Sequence, residues 1–130
     1  MIDMLTYFGE VTIASANTAA PDTLSPRIVD MIDACRMEDG PHYIRVTARV
    51  IEAPSAELTI SLIGANELNG EALKTPVVLA SRIFSAAEAT EIKVGDTLKF
   101  GFPMEHTKYL QAKVNAKGTV KLAIAVEFGA

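Results

Sequence analysis

The fold of this chain is most legible in residues 117–128, "KGTVKLAIAVEF". Apolar side chains occupy every second position there, and smaller or polar ones fall between them. The apolar set is Val120, Leu122, Ile124, Val126 and Phe128, and the alternate set is Thr119, Lys121, Ala123 and Glu127. This period of two is typical of a β-strand with one face on a core. It predicts that Leu122, Ile124 and Val126 are buried, with Phe100 and Leu62 among their neighbours.

The same alternation occurs in residues 42–51, "HYIRVTARVI". The predicted inner face consists of His42, Ile44, Val46, Ala48 and Val50, and the predicted outer face of Tyr43, Arg45, Thr47 and Arg49. Further strands are predicted at residues 58–64, 77–84, 97–103 and 109–116. In the strand at 77–84, Val77, Leu79 and Ile83 share one parity and Arg82 has the other.

Turn signals separate these segments. Asn69-Gly70 lies in a polar loop, and Gly95-Asp96 precedes the strand at 97–103. Ser85 and Glu88 have the spacing of a capping box, which predicts a short helical turn. Strands separated by turns roughly every 8–12 residues indicate an all-β sandwich or barrel of about eight strands. At 130 residues the chain is one domain, 1–130.

The first forty residues follow a weaker pattern. A strand interrupted at Gly9 is predicted in residues 5–15, followed by a loop rich in small residues and proline. Residues 27–37, "RIVDMIDACRM", fit either a helix or an alternating strand, and we favour a strand at 28–32. Residues 1–27 form a candidate N-terminal arm.

Composition excludes some classes of function. Twelve basic and sixteen acidic residues give a net charge of −4 without a basic run, which argues against a nucleic-acid partner. No apolar run has the length of about 20 residues that spans a bilayer, so no membrane association is expected. The single Cys35 forms no internal disulfide. The beginning of the chain lacks the basic region of a signal peptide, and synthesis in a reducing cytoplasm is expected.

Candidate reactive residues do not form a pattern. His42 and His106 stand apart without a neighbouring metal ligand, and Cys35 lies among apolar residues as a small buried side chain would. Four acidic residues near the first turn lack the spacing of a calcium loop, and they are Asp30, Asp33, Glu38 and Asp39. We therefore assign no catalytic, cofactor-binding or metal-binding residue, and we interpret "MEHTK" (104–108) as a hairpin-like turn between two strands.

Residues 24–128 resemble the jelly-roll cement, or decoration, proteins of tailed-bacteriophage capsids. The resemblance is carried by successive segments of strand and turn. They are "DGPHYIRVTARV" (39–50), "LTISLIGANE" (58–67), "PVVLASRIFSAAEAT" (76–90), "IKVGDTLKFGFP" (92–103) and "KYLQAKVN…KGTVKLAIAVEF" (108–128). As in that family, a strand opens with a Tyr-Leu pair, here Tyr109-Leu110, and the last strand ends at a short tail, here 127–130.

The resemblance implies a jelly-roll-like β-sandwich without enzymatic activity or cofactor. It implies a homotrimer on the outer capsid surface of the virion, made in the host bacterial cytoplasm, which binds the major capsid protein and stabilises the shell. Arg45, Arg49 and Arg82 are expected to protect a strand edge or to pair across subunits. The alternative is a jelly-roll carbohydrate-binding module, which the absence of Trp disfavours. An enzyme is the third and weakest hypothesis.

Overall fold

A computed structural model describes residues 6–31, 43–103 and 107–129 of the chain. Most of these residues form strands, and Ala86–Ala89 form the short helix α1. The long strands are β1 (Tyr7–Ile13), β4 (Tyr43–Glu52), β5 (Leu58–Ala65), β8 (Val77–Phe84), β9 (Thr97–Pro103), β10 (Tyr109–Ala116) and β11 (Val120–Gly129). The two-residue strands are β2 (Thr23–Leu24), β3 (Val29–Asp30), β6 (Leu68–Asn69) and β7 (Ala72–Leu73).

The long strands are divided between two antiparallel sheets. One sheet has the order β1-β11-β4-β9. In the other, β10 and β5 are central, β8 is one edge, and β2 and β3 pair with the two ends of β10 on the opposite side. Two separate sheets around a shared core are a sandwich and not a closed barrel. The predicted all-β sandwich is confirmed. With β2 and β3 taken as one interrupted strand, and the β6–β7 hairpin set aside, the described residues contain eight strands.

The core lies between the inner faces of the two sheets. Leu122 and Ile124 are fully buried and Val126 is 2% exposed, as the alternation in β11 predicts. The four predicted inner residues of β4 that the structure describes are buried too, whereas Arg45, Thr47 and Arg49 point outward. Leu58, Ile60 and Leu62 of β5 and Leu110, Ala112 and Val114 of β10 face them from the other sheet. Phe100 is partly buried against the same core.

A second, smaller apolar cluster lies on the outer face of the five-stranded sheet. Ile63, Ala65 and Leu73 are buried there, and Ile28 and Tyr109 pack against them. Ile63 is on β5, on the face opposite to its core side chains, and Leu73 is on the hairpin β6–β7, whose turn contains Gly70 with a φ of +66°. The hairpin therefore covers part of a sheet face that is otherwise turned toward solvent.

Two local predictions are confirmed. The register of β1 shifts between Tyr7 and Gly9, where Gly9 adopts a φ of +107° that favours glycine. A Cβ at Gly9 would also lie 2.5 Å from Cγ of Pro26, so this bulge has no room for a side chain. At α1 both hydrogen bonds of the capping box are present.

Three predictions need correction. β9 and β10 do not form the predicted hairpin, because β9 belongs to the four-stranded sheet and β10 to the five-stranded one, and residues 104–106 between them lie outside the described residues. Arg45 and Arg49 do not protect an edge, since β4 lies between β11 and β9. The predicted strand at 28–32 forms β3 with only two residues, Val29–Asp30, and Ile32 lies outside the described residues.

We expect Ile124→Ala to lower the free energy of unfolding by about 2–5 kcal/mol, because it leaves a cavity in a fully buried site. Chemical denaturation monitored by circular dichroism measures this loss. Val94→Ala is the matched control: Val94 is 66% exposed in a turn, and its truncation should change stability by less than about 0.5 kcal/mol. Equal stability losses in the two variants would contradict the assignment of the core face.

Candidate interaction surface

The residues weighed as reactive at the sequence level are mostly outside the described part of the chain. Cys35, His42 and His106 lie there, as do Asp33, Glu38 and Asp39. Asp30 is described and pairs with Tyr109 in the ladder between β3 and β10. Among the described residues no group of three or more His, Cys, Asp or Glu side chains is placed to hold a metal ion. Within the same residues, no helix has the length and hydrophobicity required to cross a bilayer.

What the structure does bring together is a set of exposed apolar side chains on the five-stranded sheet. Val77, Val78 and Ile83 lie on β8 and are 52%, 56% and 61% exposed, and we call these three the edge patch. Leu24 on β2 is 49% exposed. Of the six large apolar side chains exposed among the described residues, these four belong to this one sheet. Val78 and Ile83 pair with Ile63 and Thr59 and so lie on the outer face of the sheet, whereas Val77 pairs with Gly64 and has the opposite parity. Apolar side chains exposed along one edge strand are a candidate interaction site.

The edge patch exists because β8 departs from simple alternation. Its register against β5 shifts between Leu62 and Ile63, which pair with Ala80 and Val78, so that Leu79 is an extra residue. The bulge changes which side chains face the core: Leu79 is partly buried against it, and Phe84 closes the strand with 8% exposure. The predicted parity of Val77, Leu79 and Ile83 therefore does not describe a common buried face.

β8 is an edge strand, and its outer side is only partly protected. Nη1 of Arg82 donates a hydrogen bond to the carbonyl oxygen of Ile83 at 3.1 Å, and the guanidinium lies 4.7 Å from the centroid of the Phe84 ring. Nη2 of Arg82 lies 3.2 Å from Oε2 of Glu88 in α1. Arg82 therefore serves the expected role of a charge at a strand edge, within one subunit. Arg45 also pairs within the chain, with Glu127 on β11 at 3.8 Å.

Glu88 connects this edge to the helix. Its Oε1 accepts a hydrogen bond from the backbone N–H of Ser85, and Oγ of Ser85 accepts one from the N–H of Glu88, each at 3.2 Å. The hydrogen bond from the backbone N–H of Ser85 is the main cause that lowers the pKa of the Glu88 carboxyl below its ordinary value. Desolvation opposes this shift, and the positive charge of Arg82 adds to it. The carboxylate is thus held in its charged form beside the end of β8.

The other edge of the sheet is built differently. Between β2 and β3 the chain leaves the ladder at Ser25, which is 2% exposed. The N–H of Ser25 donates to the carbonyl of Ala112, and Oγ of Ser25 accepts from the N–H of Ala112 at 3.1 Å. Nε2 of Gln111 donates to the carbonyl of Ser25 at 2.7 Å. Side-chain hydrogen bonds therefore hold the chain against β10 at the interruption between β2 and β3.

Sequence reasoning missed the edge patch. The residues "VVLASRIF" place apolar side chains on both parities, which is compatible with a strand that is apolar on two sides. Only the positions of the bulge and of the sheet edge determine which of them remain exposed. The comparisons with known proteins add no assignment, since no protein-family model matches the chain and no curated protein matches it.

We expect Glu88→Gln to be less stable than the wild-type protein at pH 7. The variant keeps a hydrogen-bond acceptor for the N–H of Ser85 but loses the negative charge that strengthens this bond and faces Arg82. The pKa of Glu88 is lower in the folded than in the unfolded chain, so the charge stabilises the fold above the ordinary glutamate pKa of 4.5, and this contribution is lost as the pH falls through the folded-state value. The difference between the two proteins should therefore shrink below pH 4.5. Urea denaturation at several pH values measures it, with Glu91→Gln as control. A difference that stays constant with pH would contradict the charge effect.

Proposed function

We propose that this protein is a capsid decoration, or cement, protein of a tailed bacteriophage, without enzymatic activity. It forms a homotrimer on the outer surface of the virion, contacts the major capsid protein and stabilises the shell. The observation that carries the proposal is the edge patch, because an exposed apolar edge strand on a folded sandwich fits a protein partner. The resemblance of residues 24–128 to cement proteins indicates that this partner is a major capsid protein.

The strand pairing supports the jelly-roll interpretation. With β2 and β3 counted as one strand, the chain pairs its first strand with its last, its second with its next to last, and so on inward. The four pairs are β1 with β11, β2 and β3 with β10, β4 with β9, and β5 with β8. A ribbon of such pairs folded into two sheets is the arrangement expected of a double-sheet jelly roll.

The edge of β8 supports association with another protein chain. Backbone groups on the outer side of an edge strand lack ladder partners within their sheet, and an added strand satisfies them. The edge patch supplies apolar contacts beside those backbone groups. Such an interface needs to bury about 1,000 Å² or more to persist at micromolar concentration, and a cyclic trimer closes it without open filaments.

A carbohydrate-binding module receives less support. Sugar rings usually stack on exposed aromatic side chains. Among the aromatic side chains that the structure describes, Phe8 and Phe84 are buried, and Tyr7, Phe100 and Tyr109 are half-buried. No described aromatic side chain offers an open platform.

The test is co-sedimentation with shells assembled from the major capsid protein encoded beside this gene. We expect the wild-type protein to pellet with the shells, and to sediment at trimer mass at micromolar concentrations. Ile83→Asp should weaken both properties about tenfold or more, because it places a charge in the edge patch. Its fold should persist, since the Ile83 side chain is 61% exposed.

Val94→Asp is the control, because Val94 is 66% exposed but lies in the turn before β9 and outside the edge patch. It should bind shells and self-associate as the wild type does. Wild-type protein that stays in the supernatant at saturating shell concentration would contradict the proposed function. A monomer in solution that still binds the shells would contradict only the preformed trimer.

A further inference from the structure

A groove on the outer face of the five-stranded sheet combines an apolar lining with charges of both signs. Its volume is about 300 Å³, at the lower limit for pockets that hold small molecules. Ile63 and Leu73, both nearly buried, contribute to its lining, and the half-exposed Leu24 and Val78 contribute from the two edge strands of the sheet. Four separate strands therefore supply the apolar lining of a concavity that is open to solvent.

Three polar side chains line the same groove. Lys113 forms no ion pair with any residue that the structure describes, including Asp22. The carboxylate of Asp22 accepts a hydrogen bond from Nδ2 of Asn115 at 2.6 Å through Oδ1, which leaves its second oxygen for another donor. The amide of Gln111 is oriented by its donation to the carbonyl of Ser25, so that its Oε1 is an acceptor. The groove thus offers one cation and two acceptors.

We propose that this groove binds a free aliphatic α-amino acid, with leucine as the reference ligand. The isobutyl side chain contacts Ile63, Leu73 and Val78. The α-carboxylate faces the ammonium of Lys113, and the α-ammonium faces the carboxylate of Asp22 and Oε1 of Gln111. A zwitterion pairs with both charged side chains at once. A ligand with only a carboxylate would be repelled by Asp22, and a ligand with only an ammonium group would be repelled by Lys113. This inference does not depend on the capsid function.

The experiment is a titration of ¹⁵N-labelled protein followed by two-dimensional NMR. The ligands are L-leucine, 4-methylpentanoate, which lacks the ammonium, 3-methylbutylamine, which lacks the carboxylate, and L-serine, which lacks the apolar group. We expect L-leucine to shift the amide resonances of β10 and of the β6–β7 hairpin, and the other three to bind about tenfold more weakly or not at all. Equal shifts from L-leucine and either singly charged analogue, or saturating L-leucine that leaves these resonances in place, would overturn the proposal.

Variants locate the contacts. Lys113→Gln and Asp22→Asn should each weaken L-leucine binding about fivefold to tenfold. Val78→Thr should weaken it by a similar factor, because it replaces a methyl group with a hydroxyl group in a side chain of the same shape. Val94→Thr is the matched control, since Val94 is exposed to a similar degree, lies outside the edge patch and is not among the residues that line the groove. All four positions are on the surface, and the NMR spectrum itself reports whether each variant is folded. Loss of binding in Val94→Thr together with unchanged binding in Val78→Thr would overturn the proposed site.

Discussion

The structure depends on one constraint: the inner faces of two sheets must cover each other completely. This constraint acts mainly through β11, which lies between β1 and β4 and pairs with both along most of its length. Its side chains Leu122 and Ile124 are fully buried, and each buried aliphatic side chain of this size contributes about 1.5–3 kcal/mol. A shift of one residue in the register of β11 would turn these side chains to solvent and bring Lys121 and Ala123 inward. The positions of β1 and β4, and through β4 that of β9, follow from this register.

Much of the architecture could be predicted from the sequence, and the reason is the period of two. In β4, β10 and β11 each inner position is apolar, and the outer positions are mainly polar, charged or small, so parity alone identifies the buried face. The capping box at Ser85 and the turns at Gly70 and Gly95 are equally local, because each depends on residues no more than a few positions apart. Signals of this kind require no knowledge of which strands are neighbours.

The features that sequence reasoning missed are those that depend on long-range pairing. The bulge in β8 is a mismatch in register between β5 and β8, and the sequence of either strand alone does not predict it. Whether "VVLASRIF" is a central or an edge strand determines whether Val77 and Ile83 are buried, and the pattern within the strand is the same in both cases. The sequence at 104–108 predicts a hairpin because consecutive strands often pair, whereas β9 and β10 belong to opposite sheets. The groove beside Lys113 gathers side chains from distant parts of the chain, which no local motif reveals.

The two edges of the five-stranded sheet are chemically unequal. At β8 the edge is continuous over eight residues, whereas at β2 and β3 it is broken at Ser25 and Pro26, and Pro26 has no N–H to donate. A strand added beside β8 therefore meets an unbroken strand with one bulge at Leu79, while one added at the opposite side meets an interruption. The opposite edge offers no continuous backbone to an added strand, so addition at both edges of the same sheet in succession is disfavoured. The interruption between β2 and β3 thus leaves the sheet with one continuous edge and one broken edge.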